Sequence, residues 1–485
     1  MSNVFQAHLE CPSEDLDLTG FQVYEMRGRE VISQPFHFTV RSIVPFDQTP
    51  EIGLLEGATL TFVMQGRGHL RKIHAMVTGV SIERDLQAKM NRVTLQLGPR
   101  LWRSSLVTMQ EVYLKTSVPD IIADKLERVQ LARDTDVFLG LGGTYAEREF
   151  VVQWRESDLA FISRLAEHLG IAYYFNHTDH IDELHFVDEA ASFPHLELDL
   201  LVREEGTEEG VFRLTRHRTP VAAFYTAVDY NYQHPETPVF GEHPLPEGFA
   251  GAFVDYGPHV GDPGGATKIA QLRAEEQHSR RDVITAHSNV LAIAAGHRGE
   301  LQIEGVGNES VLFTEVEHEA TLSAVLQGTG GAGPSYECHF KAIAADVAYR
   351  PPRLTPKPLI SGLLHGTVVN GPTGIERYAK IDDVGRYWVR LMFDPNPNPT
   401  HPSVVTRFLQ PHSGPNYGTH FPLKPGIEVL IGFENGDPDR PLIVGSVPNA
   451  QTPSPVNAGI NTQNRIVTRS GITLDFEDGV GDEVW

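Results

Sequence analysis

The chain has 485 residues, with 40 Lys plus Arg against 63 Asp plus Glu, so its net charge is −23. This acidic balance argues against binding to nucleic acid or to anionic membrane surfaces, because both require a basic surface. The length predicts roughly three domains at about 150 residues each. Cys11 and Cys338 lie far apart, which favours neither a disulfide framework nor a thiolate zinc site.

Alternating apolar and polar residues dominate the chain and predict a mainly β fold. The pattern is clear at residues 92–97, 387–393 and 429–433. Such period-2 patterning is typical of half-buried strands. Because 44 Gly and 33 Pro interrupt these runs, we expect several small barrels or sandwiches.

Three short helices are predicted between the strands. The first spans residues 117–132 with Ser117 as its N-cap, and the second spans 157–169 with Ser157 as its N-cap and Gly170 as its stop. The third runs roughly over 266–281. Each helix carries an apolar stripe at helical spacing: Ile122, Leu126 and Val129, then Leu159, Ile162, Leu165 and Leu169, then Ile269 and Leu272.

A proline-rich segment at residues 351–358, PPRLTPKP, is the clearest predicted linker and favours an extended, fairly stiff spacer. It separates residues 1–350 from a compact β-rich module at about 359–450. A polar stretch over 449–463 ends that module. The last piece, 464–485, is too short to bury a core alone, so we expect it to pair with another chain or to begin something longer.

The sequence contains none of the motifs HExxH, GxSxG or GxxxxGK[ST]. A GxGxxG pattern at residues 328–333 is followed by PSYEC, which favours a strand and hence a hairpin loop, whereas a dinucleotide site needs a helix there. Asp15, Asp17 and Gly20 resemble a calcium loop only faintly, because Met26 occupies the position of the required Glu. We therefore expect no catalytic, cofactor-binding or metal-binding residues, and no enzyme.

Two histidine groups have the residue types of a metal or anion site. The first comprises His177, His180 and His185 with Asp179 and Asp182. Its spacing fits no standard metal site, and it lies in a predicted polar hairpin. His412 and His420 flank the turn GPNYG and are interpreted as loop residues. The aromatic run at 173–175 is interpreted as core.

Several stretches, in order along nearly the whole chain, resemble the VgrG spike proteins of type VI secretion systems. They are QWRESDLAFISRL at 153–165, GIAYYF at 170–175, VEHEA at 316–320, GRYWVRL at 385–391, FENGDPDRP at 433–441, and TRSG with LDFED within 468–478. Considered as residues alone, the FENGDPDRP stretch predicts a hairpin turn. Its Arg440 is expected to pair with Asp437, with Asp439 or with a neighbouring chain.

The resemblance implies the architecture of a contractile-tail hub and spike. Residues 1–350 are expected to form a tail hub-like region of two small β-barrels with helical inserts, and 359–450 an OB-fold module. Residues 451–485 are expected to lead into a trimeric β-helix needle. The chain reaches Trp485 where needle repeats would begin, so no C-terminal effector domain or effector activity is inherited from the resemblance.

The resemblance also implies a structural function. We expect a homotrimeric spike at the tip of a contractile injection system that punctures target membranes and carries effectors. Expected partners are an Hcp-like tail tube, baseplate proteins, and a PAAR-like tip protein and effectors if the needle is present. With no secretory signal and no apolar run of 18 residues, we expect assembly in the bacterial cytoplasm, release by contraction, and membrane contact only on firing.

Three alternatives remain open at this point. The chain could be the spike or hub of a phage tail or of an extracellular injection particle, which would work by the same contraction mechanism. It could be a cell-wall-degrading tail protein, which would require two committed carboxylates in an inserted module. It could also be a glycan-binding protein that uses the OB-fold face near Tyr417.

Overall fold

The computed structural model describes residues 5–12, 16–178, 181–204, 208–322, 334–370, 380–398 and 401–479. The chain forms two compact units. The first contains Met1–Thr108, Ser117–Ala146 and Ser157–Pro356, and the second contains Met109–Thr116, Glu147–Glu156 and Lys357–Trp485. Two short segments from the first third of the chain therefore fold with the C-terminal part.

Strands are numbered in chain order. The first fifteen are β1 (Gln6–Glu10), β2 (Gln22–Val31), β3 (Gln34–Pro45), β4 (Thr59–Gly66), β5 (His69–Asp85), β6 (Met90–Gly98), β7 (Thr108–Thr116), β8 (Val137–Gly140), β9 (Arg148–Ser157), β10 (Ala172–His177), β11 (Asp182–Val187), β12 (His195–Val202), β13 (Val211–Arg218), β14 (Phe224–Asp229) and β15 (Val239–Pro244). The others are β16 (Ala252–Tyr256), β17 (Asp282–Ser288), β18 (Arg298–Ile303), β19 (Gly307–Thr321), β20 (Ser335–Ala344), β21 (Leu364–Val368), β22 (Tyr387–Leu391), β23 (Val404–Thr406), β24 (Ser413–Gly414), β25 (Tyr417–Gly418), β26 (Glu428–Phe433), β27 (Pro441–Ser446), β28 (Gln463–Val467) and β29 (Thr473–Glu477).

Helices occupy much less of the described chain, which is mainly β as predicted. The α-helices are α1 (Ile52–Leu55), α2 (Val118–Arg128), α3 (Asp158–His168) and α4 (Pro263–Ser279). Short 3-10 turns cover Phe46–Gln48, Arg100–Ser105, Ala190–Ser192, Glu434–Gly436 and Ala458–Ile460.

One twelve-stranded sheet organises the first unit. Its strand order is β1-β4-β5-β6-β3-β2-β19-β18-β12-β13-β17-β20, and an extra pairing of β19 with β20 closes the last six strands into a ring. Ring closure removes exposed strand edges, which gives a small barrel. Strand β19 also pairs with β2, so it joins the ring to the six N-terminal strands.

Two small α/β layers complete the first unit. One is the sheet β10-β11-β8 with α2 and α3, and the other is β15-β14-β16 with α4. The predicted aromatic run lies in the first of these layers: Tyr173, Tyr174 and Phe175 are all buried, as expected for core.

The second unit is built on a five-stranded sheet with the order β23-β22-β21-β26-β27. Its core uses the predicted alternation, because Tyr387, Val389 and Leu391 of β22 are fully buried. The β7–β9 pair adds Phe150, Val152 and Trp154 to the same hydrophobic cluster. A separate two-stranded hairpin, β28–β29, follows.

The helix boundaries differ from the predicted ones for local reasons. Helix α2 ends at Arg128 because Gln130 adopts a left-handed conformation with φ 63°, which closes the last turn. Helix α4 begins at Pro263, earlier than predicted, since the Asp262 side chain caps it by accepting a hydrogen bond from the Gly265 amide. In α3, Phe161 is fully buried while Leu159 is only half-buried.

The proline-rich segment has no regular secondary structure, and its first part is anchored to the first unit. Arg353 donates to the Asp255 carboxylate at 2.8 Å, and the Thr355 hydroxyl donates to the Glu167 carboxylate at 2.8 Å. These bonds attach residues 353 and 355 of the segment to the first unit.

Candidate functional surfaces and their buried supports

The VEHEA stretch contributes to a buried charged cluster in the first unit. His318 Nε2 lies 3.0 Å from the Glu30 carboxylate and Nδ1 lies 2.8 Å from the Tyr336 hydroxyl. Arg71 donates to both Glu30 oxygens at 2.7 and 2.6 Å and to the Ile293 carbonyl at 2.7 Å. The cluster therefore links β2, β5, β19 and β20 through polar contacts that are largely buried.

The electrostatics of this cluster fix its protonation. Burial would raise the pKa of Glu30, but the adjacent Arg71 charge and the His318 hydrogen bond outweigh it and lower the pKa. Burial lowers the pKa of His318, so the imidazole is neutral, and burial keeps the pKa of the Tyr336 hydroxyl well above its usual value. Because a carboxylate only accepts, His318 donates through Nε2 and accepts from Tyr336 through Nδ1.

The RESD part of the 153–165 stretch forms a second buried support. Ser157 caps α3 by accepting a hydrogen bond from the Ala160 amide. The next residue, Asp158, pairs with Lys125 of α2 at 3.1 Å, with side chains 1% and 0% exposed. An ion pair this deeply enclosed requires both partners, since either charge alone is costly in a buried site.

The DPDR hairpin connects separate segments of the second unit through hydrogen bonds and ion pairs. Asp439 accepts a hydrogen bond from the Val152 amide at 2.7 Å, which attaches β9 to the turn. Lys357 lies 2.5 Å from Asp437 and 2.8 Å from Asp439. Arg440 Nε is 3.8 Å from Asp437, one of the partners expected for it. The sequence did not predict the role of Lys357. It lies far from Asp437 and Asp439 along the chain, so no local pattern indicates that they are in contact.

The β28–β29 hairpin exposes an apolar face. In its register Ile466 is opposite Leu474 and Phe476 is opposite Asn464. Ile466, Leu474 and Phe476 are 45%, 52% and 53% exposed. The other face carries the Arg465–Asp475 ion pair at 2.8 Å. A two-stranded hairpin is marginal alone in water, so this apolar face requires a covering surface.

A second apolar surface lies on the β14–β16 layer. One face of this sheet packs on α4, and the other presents Phe224, Phe240, Val254 and Tyr256, all exposed. Clustered exposed apolar residues of this kind mark surfaces that contact proteins, membranes or ligands.

The first predicted histidine group is divided among separate partners. Asp182 binds the Arg100 guanidinium at 2.5 Å, and His185 lies 3.0 Å from Glu183. His177 Nδ1 accepts from the His74 amide at 3.2 Å. Asp179 and His180 lie outside the described residues. Across the described part of the chain, no three His, Cys, Asp or Glu side chains are grouped for one metal ion.

The remaining candidates have local structural partners. His420 lies 2.7 Å from the Tyr387 hydroxyl, whereas the His412 ring is 5.5 Å from the exposed Tyr417 ring. Asp17 accepts from the Thr19 amide at 2.9 Å, as expected of a turn residue. The GxGxxG stretch at 328–333 and Asp15 lie outside the described residues.

No helix in the described ranges is long and apolar enough to cross a membrane.

Comparison with known proteins finds two family models that match separate parts of the chain. A model of the phage tail baseplate hub (GPD) matches residues 29–324, and a model of the type VI secretion system/phage-baseplate injector OB domain matches 382–447. The solved E. coli c3393 protein, a type VI secretion component described as similar to T4 bacteriophage tail proteins gp27 and gp5, is 24% identical, with a TM-score of 0.65 over 90% of this chain and 99% of its own.

Two curated relatives extend the comparison. The type VI secretion system spike protein VgrG5 of Pseudomonas aeruginosa is 31% identical over 506 aligned residues, which cover 98% of this chain and 61% of VgrG5. The actin cross-linking toxin VgrG1 of Vibrio cholerae is 27% identical, with 85% of this chain and 39% of the toxin covered. This chain thus spans less than two thirds of these relatives. Because the hub model alone matches more than half of the chain, the chain belongs to the phage tail baseplate hub (GPD) family.

Proposed function

We propose that this chain is the trimeric hub and collar of a type VI secretion spike, with a structural and not an enzymatic role. The observation that carries the proposal is the apolar face of β28–β29, formed by Ile466, Leu474 and Phe476. Three copies around one axis would cover this face with identical faces. Cyclic symmetry of this kind closes an assembly without leaving an edge open.

The proposed domain assignment follows the predicted boundaries. Residues 1–350, apart from the segments 109–116 and 147–156 that fold with the second unit, are the tail hub-like region, 351–358 the linker, 359–450 the OB-fold module and 451–485 the lead into the β-helix needle. The family-model matches at 29–324 and 382–447 fall inside the first and third of these ranges, which supports the assignment.

The mechanical role fits the arrangement of strands and buried charges. The six-stranded ring has paired neighbours on every strand, so force applied to it is resisted by many hydrogen bonds at once. The Glu30–Arg71–His318 cluster and the Lys125–Asp158 pair add enclosed contacts within the same unit. Such a unit can transmit force from a contracting sheath without a catalytic centre.

The proposed partners are those of a contractile tail. The exposed aromatic face of the β14–β16 layer, with Phe240 and Tyr256, would contact baseplate or tube subunits. A tip protein and effectors would bind beyond the OB-fold module. We propose assembly in the bacterial cytoplasm and delivery on contraction. The toxin VgrG1 aligns over only 39% of its length, so its named activity is not proposed for this chain.

The experiment is the solution mass of the 485-residue chain by light scattering after gel filtration. A trimer has a mass of 3 × 53.7 = 161 kDa. We expect this mass, and we expect Leu474→Ser with Phe476→Ser to shift it toward 53.7 kDa. Arg465→Gln on the opposite hairpin face is the matched control and should stay trimeric. A monomeric parent chain, or a double variant that remains fully trimeric, would contradict the proposal.

A further inference from the structure

Two histidines lie side by side on the outer surface of the ring. His287 of β17 and His339 of β20 are direct partners in the antiparallel register, and their ring centres are 3.9 Å apart. Both side chains are half-buried beside a groove of about 510 Å³. The pair is therefore reachable from solvent and is fixed by two adjacent strands.

The spacing suits coordination of one ion by both rings. A metal such as Zn²⁺ binds an imidazole nitrogen at about 2.0–2.1 Å, so two nitrogen ligands of one ion lie within about 4 Å of each other. The ring centres of His287 and His339, 3.9 Å apart, match that separation. Because both residues are held in a paired sheet, little backbone freedom is lost on binding.

The neighbouring charges permit a cation at this position. Glu317 is the register partner of His339 on the other side, so it adds a carboxylate to the same cross-strand row. Arg29 and Lys341 bind Glu315 at 2.8 and 2.7 Å, and Arg29 Nε also lies 3.8 Å from the Glu317 carboxylate, so these cations are paired with carboxylates. Arg213 also lines the groove and lowers the attraction for a cation, which favours moderate affinity.

We propose that His287 and His339 form a surface site for a divalent transition metal, with Cu²⁺, Ni²⁺ and Zn²⁺ as the class of ligand. Imidazole nitrogen is a preferred ligand of all three ions. The groove leaves the remaining coordination positions to water. Bound metal would fasten β17 to β20 and stabilise the ring by mass action.

The test is calorimetric titration of the full 485-residue chain with Ni²⁺, and then with Cu²⁺ and Zn²⁺. We expect one site that is lost in His287→Ala and in His339→Ala, with Cu²⁺ bound most tightly, as the general order of divalent affinities requires.

The chain has 22 histidines, so the controls decide the result. His401→Ala removes an exposed histidine of the second unit and should leave the site unchanged. His339→Asn keeps a polar side chain of similar shape and should also lose the site, while metal-free thermal unfolding shows that each variant folds. The proposal is overturned if both alanine variants bind Ni²⁺ like the parent chain, or if the parent chain binds no Ni²⁺.

Discussion

Single residues in this chain stabilise it mainly by forming enclosed polar pairs. Lys125 and Asp158 come from different helices and are both fully buried. His318 is likewise buried and hydrogen-bonded on both ring nitrogens. A buried polar group without a partner destabilises the fold. We therefore expect substitution of one member of each pair to lower the stability of the chain.

Lys125→Met should destabilise the first unit by roughly 3–5 kcal/mol, because it leaves the Asp158 carboxylate buried without its cation. Adding Asp158→Asn to this variant removes the stranded charge, so the double variant should recover much of the loss. Urea unfolding followed by circular dichroism measures both. If Lys125→Met were as stable as the parent chain, the pair would not contribute as described.

His318 gives a pH prediction. Its pKa in the folded chain is lowered by burial, whereas in the unfolded chain it is near 6.5. Below pH 6.5 the unfolded state therefore binds a proton that the folded state does not, and stability falls as the pH drops. His318→Gln should flatten this slope between pH 7 and pH 5, measured as the change in unfolding temperature. An unchanged slope would show that His318 is not neutral in the fold.

Among the elements, the packing of α4 on the β14–β16 layer depends on one glycine. Gly241 of β15 faces the helix, and an added Cβ would overlap the backbone of Ala266 and Thr267. Because the overlap is with backbone atoms, it can be relieved only if the whole helix or the whole sheet shifts. This close approach positions the exposed aromatic face on the other side of the sheet.

Gly241→Ala should therefore destabilise this layer by about 1–3 kcal/mol or more, since overpacking forces backbone shifts. Gly445→Ala is the control, because an added Cβ there meets nothing within 4 Å. It should change stability by less than about 0.5 kcal/mol. Hydrogen exchange of α4 amides reports the layer directly, and equal protection in the two variants would contradict the packing argument.

At the scale of the whole molecule, the net charge of −23 acts on assembly. Like charges on three identical chains repel, and salt screens that repulsion over about 10 Å at 0.1 M. If the proposed trimer forms through the apolar hairpin, raising NaCl from 20 to 300 mM should lower its dissociation concentration several-fold. Sedimentation at both salt concentrations measures this. A trimer that weakens with salt would indicate an interface held by ion pairs instead.

Much of the fold was determined by local sequence. The alternation at residues 92–97, 387–393 and 429–433 predicted strands that the structure contains, and Ser117 and Ser157 cap the helices predicted from them. These features depend on neighbours two to four residues away, which a sequence displays directly. The family motifs likewise predict a contractile-tail hub and spike without any information on packing.

Other features were decided only by the tertiary structure. The segments Met109–Thr116 and Glu147–Glu156 fold with Lys357–Trp485, and Lys357 itself pairs with Asp437 and Asp439. These partners are distant along the chain, so no spacing in the sequence relates them. The same reason applies to His287 and His339: strand register sets which side chains become neighbours, and register between distant strands is fixed by packing of the whole sheet.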